Sequence, residues 1–272
     1  MIHHRDSSVI GNENILPGFY LLRLHSPTIA SQCLPGQFVH LRCPGSGTYL
    51  RRPFSIYSSN GEDSIEIIYK VVGRATSAMS HLKAGDAVDL VGPLGKPFML
   101  RKGKSKAIAL GGGIGIPPVM FFCQYYGSVL DRTVLLIGAK TRRQVLLPTA
   151  LFTQQIEIEV FTEDGSRGKM GTPDLALRQL LINKEFQREE TLVIACGPRP
   201  FLYEVHRIAS DFGVECQVSV EETIGCGVGA CLACAVPSAG GGYLHICKDG
   251  AVVNSSQIDW ERWLKALDFR HP

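Results

Sequence analysis

The stretch A-I-A-L-G-G-G-I-G-I-P-P-V-M, residues 107–120, places an apolar run directly before glycines and then a helical pattern that begins with two prolines. A strand, a glycine turn and a helix form the unit from which parallel α/β sheets are built. Glycines in such a turn let backbone N–H groups approach a pyrophosphate, and proline is common in the first turn of a helix. Pro118 replaces the third glycine of the dinucleotide fingerprint G-x-G-x-x-G, so the stretch alone also fits a simple strand–helix turn.

Downstream of this stretch, apolar strand-like runs alternate with helical patterns. The runs are T-V-L-L-I-G-A-K (133–140), I-E-I-E-V-F-T (156–162), T-L-V-I-A-C (191–196) and V-E-C-Q-V-S-V (214–220). Helices of 10 to 15 residues between such runs predict a parallel sheet that is covered on both faces.

Upstream, short β-type runs alternate with turn residues from about residue 8 to residue 100. They include F-Y-L-L-R-L-H-S (19–26), Q-F-V-H-L-R-C (37–43), S-I-E-I-I-Y-K-V-V (64–72) and A-V-D-L-V-G-P-L-G (87–95). Many short strands at this spacing predict an antiparallel barrel, interrupted by one helical stretch at 76–82.

Two segments of the predicted barrel carry residues suited to a flavin and its diphosphate. In R-R-P-F-S-I-Y-S (51–58), an arginine at the start of a strand can pair with a pyrophosphate. In Y-K-V-V-G-R-A-T-S (69–77), a strand ends at Gly73 and a helix opens at Thr76 and Ser77, which favours anions. Each segment alone fits an ordinary edge strand or turn, and together they predict an FAD site.

Other candidates follow the predicted parallel strands, at the edge where ligands of open α/β sheets bind. Gly113 and Gly115 follow the first strand, and Cys196 ends a later one in C-G-P-R-P-F. A lone cysteine is more often a small buried residue than a reactive one, so a role beside a nicotinamide depends on the other motifs. Three basic residues either contact a 2′-phosphate or face water, and the sequence leaves both open: Lys140, Arg142 and Arg143.

Four cysteines near the C-terminus have the spacing C-x4-C-x2-C followed by one more: Cys226, Cys231, Cys234 and Cys247. Plant-type ferredoxins present thiolates to a [2Fe–2S] cluster with this spacing. The glycines and alanines between the cysteines allow backbone N–H groups to approach the sulfides. Structural zinc usually takes two short C-x2–4-C pairs, so the spacing favours an iron–sulfur cluster.

Composition excludes several classes of protein. The 272 residues are 45% hydrophobic and 19% charged, as in ordinary globular proteins. The net charge of +3 and the lack of a basic stripe argue against nucleic acid as a partner. No apolar run has the length of a membrane span and no secretory signal is visible, so we expect no membrane association and a cytoplasmic location.

The order of R-P-F-S, G-R-A-T-S, G-G-G-I-G-I-P-P and C-G-P resembles the ferredoxin–NADP reductase superfamily over residues 1–215. With S-V-E-E-T-I-G-C-G-V-G-A-C-L-A-C-A-V, Cys247 and K-D-G-A-V-V, the resemblance narrows to the electron-transfer subunits of dihydroorotate dehydrogenase B. It implies FAD, a [2Fe–2S] cluster, NAD(H) as substrate and a role in pyrimidine biosynthesis. It also implies a separate FMN-containing dihydroorotate dehydrogenase catalytic subunit, in a heterotetramer with two copies of each chain.

The resemblance assigns roles only to residues that match the family motifs, and no residue of this chain is expected to be a catalytic acid or base. The isoalloxazine and ribityl chain are assigned to Arg52, Pro53, Phe54 and Ser55, the flavin lining to Tyr69, Lys70 and Val71, and the diphosphate to Gly73, Ala75, Thr76 and Ser77. NAD is assigned to Gly113, Gly115 and Cys196, and the cluster to Cys226, Cys231, Cys234 and Cys247.

The predicted fold class is therefore β plus α/β, in three modules. Residues 1–101 form an antiparallel FAD-binding β-barrel, residues 102–217 a parallel-sheet NAD-binding α/β domain, and residues 218–272 a small [2Fe–2S] module. Because a nicotinamide moves electrons in pairs and a cluster moves them singly, we expect FAD to lie between NAD and the cluster.

Two other functions fit part of the pattern. One is a flavin and iron–sulfur subunit of another NAD(P)H-linked enzyme, of the sulfite reductase, cytoplasmic hydrogenase or glutamate synthase type. The other is a zinc-stabilised binding module without a redox role.

Overall fold

The computed structural model describes residues 3–4, 7–43, 45, 47–147, 156–183 and 185–268. Its N-terminal part contains eight strands and two short helices. Their bounds are β1 His3–His4, β2 Ser7–Leu16, β3 Phe19–His25, α1 Pro27–Ala30, β4 Phe38–Arg42, β5 Arg52–Ser55, β6 Ser58–Ser59, β7 Ser64–Lys70, α2 Arg74–Met79 and β8 Ala87–Leu94.

These strands form one antiparallel sheet in the order β5-β4-β8-β2-β3-β7-β6, with β1 paired to β8. The strands at its two ends, β5 and β6, are joined by only Ile56 and Tyr57, so the sheet curls until its edges meet. In β7, Ile65, Ile67 and Tyr69 lie on one face and are almost fully buried, because successive side chains of a strand point to opposite faces. On the other face, Ile68 is also buried but belongs to a different apolar cluster. The curled sheet therefore encloses its own apolar core.

The central part of the chain contains six strands and three helices. Their bounds are β9 Lys106–Gly112, α3 Ile116–Tyr126, β10 Arg132–Ala139, β11 Ile156–Thr162, β12 Lys169–Met170, α4 Pro173–Ile182, β13 Thr191–Cys196, α5 Arg199–Asp211 and β14 Glu215–Ser219. A 3-10 turn at Gly113–Gly115 joins β9 to α3. All three helices carry proline in the first turn, where the missing N–H has no helical acceptor to lose.

The C-terminal part contains three short strands and two helices: β15 Ala235–Pro237, β16 Tyr243–His245, α6 Ile246–Asp249, β17 Val252–Asn254 and α7 Trp260–Asp268. The second sheet runs β12-β11-β10-β9-β13-β14-β17, parallel except for β17, which pairs antiparallel with β14. Helix α3 covers one face of this sheet, whereas α4 and α5 cover the other. The predicted fold class is confirmed, including the antiparallel N-terminal sheet and the covered parallel sheet.

The three parts of the chain share a hydrophobic core. Phe38 and Leu94 of the barrel pack in the same cluster as Val218 of β14 and Trp263 of α7. The predicted module boundary after residue 217 falls inside β14, and β17 returns to the same sheet, so the C-terminal module is not separate from the sheet. The three-module division stays a prediction. Among the described helices, none is both long and apolar enough to cross a membrane.

Candidate functional site

A cavity of about 590 Å³ lies between the barrel and the segment that leads into the cysteine loop. One wall is formed by β5 and the end of β7, and the other by residues 219–222 and Ile224, which follow β14. A volume of this size is within the usual range of about 300–1,000 Å³ for ligand pockets. The second wall was not foreseen from the sequence, because it forms only when β14 brings residues 219–224 next to the barrel.

The two arginines of R-R-P-F-S have different surroundings. Arg51 donates to the carboxylate of Asp89 at 2.6 Å and to the Asp89 carbonyl at 2.8 Å, so it holds the barrel together. Arg52 lines the cavity, and its guanidinium donates only to the backbone carbonyls of Leu50 and Arg51. No ion pair to Arg52 occurs within the described ranges, so its charge is available to an anion in the cavity.

Of the three flavin-lining residues predicted at the end of β7, two lie in the cavity wall. Tyr69 and Lys70 line the cavity, and the Tyr69 hydroxyl donates to Asn12 at 3.2 Å. Burial raises the pKa of Tyr69 to about 12, so the phenol stays protonated. Val71 packs against the barrel core, whereas Val72, which is 78% exposed, lines the cavity.

The turn after β7 holds the residues predicted to take a diphosphate. Gly73, Ala75 and Thr76 line the cavity, whereas Ser77 is exposed and outside it. The Thr76 hydroxyl accepts the N–H of Val72 at 2.9 Å and that of Gly73, the N-cap residue of the short helix α2, at 3.2 Å. Thr48 and Arg74 also line the cavity on the barrel side and were not predicted from the sequence. The charge of Arg74 adjacent to Gly73 was the signal that could have indicated it.

The residues predicted to face NAD lie at the carboxyl ends of β9 and β13 but do not line the cavity. A Cβ on Gly115 would lie 2.5 Å from the backbone carbonyl oxygen of Cys196, so glycine is required where these two ends meet. Between the two predicted glycines, Ile114 reaches the cavity wall. Burial raises the pKa of the Cys196 thiol and the nearby Glu221 carboxylate raises it further, so this thiol stays protonated.

The three basic residues that follow β10 are exposed, namely Lys140, Arg142 and Arg143. The backbone N–H of Arg142 donates to the Ser166 hydroxyl at 2.8 Å, which ties this turn to the one after β11.

The cysteine loop directs backbone N–H groups at the sulfur atoms. Cys226 Sγ accepts N–H groups of Val228, Ala230 and Cys231 at 3.2 to 3.4 Å. Cys247 Sγ accepts the N–H of Gly229 at 3.1 Å. Desolvation raises the pKa of Cys226, but these donors outweigh it and lower the pKa to about 6. The donors therefore favour the thiolate at Cys226, the form that binds iron, whereas burial and the neighbouring Cys234 raise the pKa of Cys247 to about 12.

Two of the four cysteines already lie side by side. Cys234 and Cys247 are buried, and their sulfur atoms are 3.3 Å apart. Within the described part of the chain, no three His, Cys, Asp or Glu side chains surround one metal-ion position. A two-iron cluster held by four cysteines needs only two thiolates on each iron, so the residues present fit such a cluster.

One side of the loop faces solvent. Cys231 is exposed, and so are two apolar neighbours, Val228 at 47% and Leu232 at 55%. Leu232 has a φ of 59°, the left-handed conformation that is unfavourable for leucine. Strained residues of this kind concentrate at functional sites.

A buried ion pair joins three segments near the cavity and was not foreseen from the sequence. The Arg199 guanidinium donates to the Glu222 carboxylate, and its side chain lies 4.6 Å above the Trp263 ring. Trp263 donates its indole N–H to the same carboxylate at 2.9 Å. Because the three residues are far apart in sequence, no local pattern could have indicated the contact.

The fold and the two sites define a class of protein, a flavin-dependent oxidoreductase with an iron–sulfur module. Residues 12–98 match the model of the oxidoreductase FAD-binding domain, and residues 221–259 match the iron–sulfur cluster binding domain of dihydroorotate dehydrogenase B. The chain is 34% identical over 262 residues to a Desulforamulus reducens protein named dihydroorotate dehydrogenase B (NAD(+)), electron transfer subunit, covering 94% of this chain and 98% of that protein. A Streptococcus mutans protein of the same name is 32% identical and covers 95% of this chain and 99% of its own length.

The chain belongs to the family of electron-transfer subunits of dihydroorotate dehydrogenase B. The predicted family and the predicted FAD and iron–sulfur cofactors are thereby confirmed.

Solved structures agree with this assignment. An NADH-dependent reduced ferredoxin–NADP oxidoreductase is 25% identical with a TM-score of 0.83, covering 97% of this chain and 93% of its own. The ferredoxin reductase of carbazole 1,9a-dioxygenase, at 22% identity and a TM-score of 0.67, covers 78% of this chain and shares the fold.

Proposed function

We propose that this chain is the electron-transfer subunit of an NAD-dependent dihydroorotate dehydrogenase, which passes electrons between NAD(H) and a separate catalytic subunit in pyrimidine biosynthesis. The proposal depends on one observation, that the cavity wall and the cysteine loop are adjacent in the chain. Residues 219–224 form one wall of the cavity, and Cys226, a predicted cluster ligand, follows only two residues later. A flavin in the cavity would therefore lie next to the cluster loop.

The residues of the chain bind and orient the cofactors. Arg52 supplies an unpaired positive charge for the diphosphate or the ribityl chain, and Arg74 adds a second charge at the turn after β7. Pro53, Phe54 and Ser55 form the part of the cavity wall that would hold the isoalloxazine. When bound, FAD accepts electrons in pairs and releases them singly, and the cluster carries them singly.

Loss of the Arg52 charge is expected to weaken FAD binding. A hydrogen bond to a charged group contributes about 1.5–3 kcal/mol, so the Kd of FAD for Arg52→Gln should rise roughly 10- to 150-fold. Flavin fluorescence quenching during titration of the deflavinated chain measures it. The matched control is Arg51→Gln, whose side chain pairs with Asp89 and should bind FAD as the wild type does. Equal losses in both variants would contradict the role of Arg52.

NAD is proposed to bind over the carboxyl ends of β9 and β13, at Gly113, Gly115 and Cys196. Gly115 and Cys196 are in backbone contact, and Ile114 reaches the cavity, so a nicotinamide held there would face the flavin. Glu221 lines the cavity and is exposed to it. The protein atoms packed around its carboxylate desolvate it and so raise its pKa.

The nucleotide preference tests the role of the basic turn. We expect NADH to bleach the flavin absorbance faster than NADPH, because the exposed basic side chains after β10 face water and do not bind the 2′-phosphate that distinguishes NADPH. Double replacement Arg142→Ala with Arg143→Ala should change the NADH rate by less than about twofold, as is usual for solvated surface charges. Stopped-flow absorbance measures both rates. Faster bleaching by NADPH, lost in the double variant, would show instead that the turn binds a 2′-phosphate.

The partner is proposed to be an FMN-containing catalytic subunit, in a heterotetramer with two copies of each chain, located in the cytoplasm. The exposed side of the cluster loop supports docking there, because Cys231, Val228 and Leu232 present the cluster's ligand and apolar surface together. Electrons that leave this side need not cross the buried half of the module.

Anaerobic titration with NADH, with and without the catalytic subunit, tests the proposal. The purified chain should be yellow-brown, bleach with NADH and, in the complex, reduce NAD⁺ when dihydroorotate is added. A chain that accepts electrons from NADH but exchanges none with a dihydroorotate-oxidising subunit would belong instead to another NAD(P)H-linked enzyme.

A further inference from the structure

Among the described residues, one buried polar side chain next to the cluster loop makes no hydrogen bond of ordinary length and angle. His40, on β4, is fully buried, with 0% of its surface exposed. Neither of its ring nitrogens has a partner within the described part of the chain. Buried polar groups are almost always paired, so an unpaired imidazole requires an explanation.

The position of His40 connects the two predicted cofactor sites. Its strand pairs with β5, where His40 lies opposite Pro53 of the R-P-F-S segment. On the other side, the ring contacts the cluster loop, because a Cβ added to Gly227 would lie 2.7 Å from His40 Nδ1. Gly227 directly follows Cys226 and has a φ of 74°, so only glycine lets the loop pass this close to the ring.

The surroundings of the ring keep it neutral. Desolvation lowers the pKa of His40, and the charges of Arg51 and Arg52 lower it further, which together outweigh the nearby backbone carbonyls of Arg51 and Ile224 that raise it. A neutral imidazole has one N–H donor and one acceptor nitrogen. The adjacent loop is rich in sulfur acceptors, and hydrogen bonds to the sulfurs set the reduction potential of an iron–sulfur cluster.

We propose that His40 is a positioning residue whose N–H donates into the cluster loop between Cys226 and Cys231 and so sets the potential of the cluster relative to the flavin. This inference rests on the proposed function. A donor near the sulfur atoms stabilises the reduced cluster, which carries the additional negative charge. Loss of the donor should therefore lower the reduction potential of the cluster, while the reaction of NADH with the flavin is unchanged.

The test compares variants that keep or remove a donor at position 40. His40→Asn keeps an amide N–H near the position of Nδ1, whereas His40→Leu has a similar volume and no donor. Each complete chain is purified anaerobically, assayed for iron and FAD, and titrated redox-potentiometrically with EPR detection of the reduced cluster. Stopped-flow bleaching with NADH is measured alongside.

The leucine variant is expected to lower the equilibrium constant for cluster reduction about tenfold, equivalent to ~59 mV for one electron, with a changed EPR spectrum. The asparagine variant should stay within about threefold of the wild type, and both should bleach with NADH at the wild-type rate. An unchanged potential and EPR spectrum in the leucine variant would overturn the proposal. Equal shifts in both variants would also overturn it, because packing alone would then explain the effect.

His40→Met provides a second variant without a donor, since methionine fills irregular space well. If the leucine and methionine variants both fail to fold while the asparagine variant folds, the N–H donor at position 40 serves only the fold and the proposal is wrong. The wild-type chain separates the two hypotheses. A wild-type chain without a reducible cluster contradicts the proposed function. A wild-type chain with a reducible cluster, whose potential and EPR spectrum do not change in the variants, contradicts only the role of His40.

Discussion

Replacement of Cys234 by serine is expected to reduce the iron content of the purified chain to background while FAD remains bound. Cys234 is 1% exposed, and its sulfur lies 3.3 Å from Cys247 Sγ and accepts the Cys247 N–H at 3.4 Å. A hydroxyl is a much poorer ligand than a thiolate for iron in such a cluster. With one iron left short of a ligand, the two-iron unit cannot be held.

The variant should separate electron transfer from NADH to the flavin, which continues, from electron transfer through the cluster to the catalytic subunit, which stops. NADH should still bleach the flavin, because the cavity wall keeps Arg52, Phe54 and Thr76. Electron delivery to the catalytic subunit should fall to background, since the single-electron carrier is missing. Iron and acid-labile sulfide assays, flavin absorbance and NADH-driven turnover with the partner measure these outcomes.

The matched control is Cys123→Ala in helix α3. Cys123 is also fully buried, and burial raises its pKa to about 12, but it lies on the opposite face of the sheet from the cysteine loop. This variant should keep iron, flavin and turnover. Retention of a full cluster by Cys234→Ser would contradict the assignment of the four ligands.

Local patterns in the sequence predicted much of the fold and of the cluster site. The cysteine spacing is a local signal, because the loop contains three of the four predicted ligands and the N–H groups that donate to the sulfur atoms of Cys226 and Cys247. The resemblance assigns Val71 to the flavin lining, and this stays a prediction. In the structure Val71 packs against the barrel core and Val72 lines the cavity, which depends on how the chain turns after β7.

The remainder could not be predicted because it depends on contacts between distant segments. Residues 219–224 become a cavity wall only when β14 joins the sheet and β17 returns to pair with it. His40 meets Gly227 across 187 positions of sequence (227 − 40). A β-strand histidine in F-V-H-L-R carries no signal that a glycine loop will cover it.

Replacement of Glu222 by glutamine is expected to produce the largest loss of stability. The carboxylate side chain is 1% exposed and accepts from Arg199, from the Trp263 indole and, at 3.2 Å, from the N–H of Thr223. The variant removes one charge of a buried ion pair, and removing one partner of such a pair costs about 3–5 kcal/mol. With a shift of roughly 2–4 °C for each kcal/mol in a chain of this size, Tm should fall by about 6–20 °C.

Urea unfolding followed by tryptophan fluorescence is suited to this measurement, because Trp263 contacts the pair directly. The control is Glu261→Gln, which removes an exposed ion pair with Lys265, 79% and 69% exposed, and should change stability by less than about 1 kcal/mol. The combined change Arg199→Met with Glu222→Leu should lose less stability than Glu222→Gln alone, since no buried charge remains. If Glu222→Gln unfolds at the wild-type urea concentration, the pair does not join the cavity wall to the terminal helix in solution.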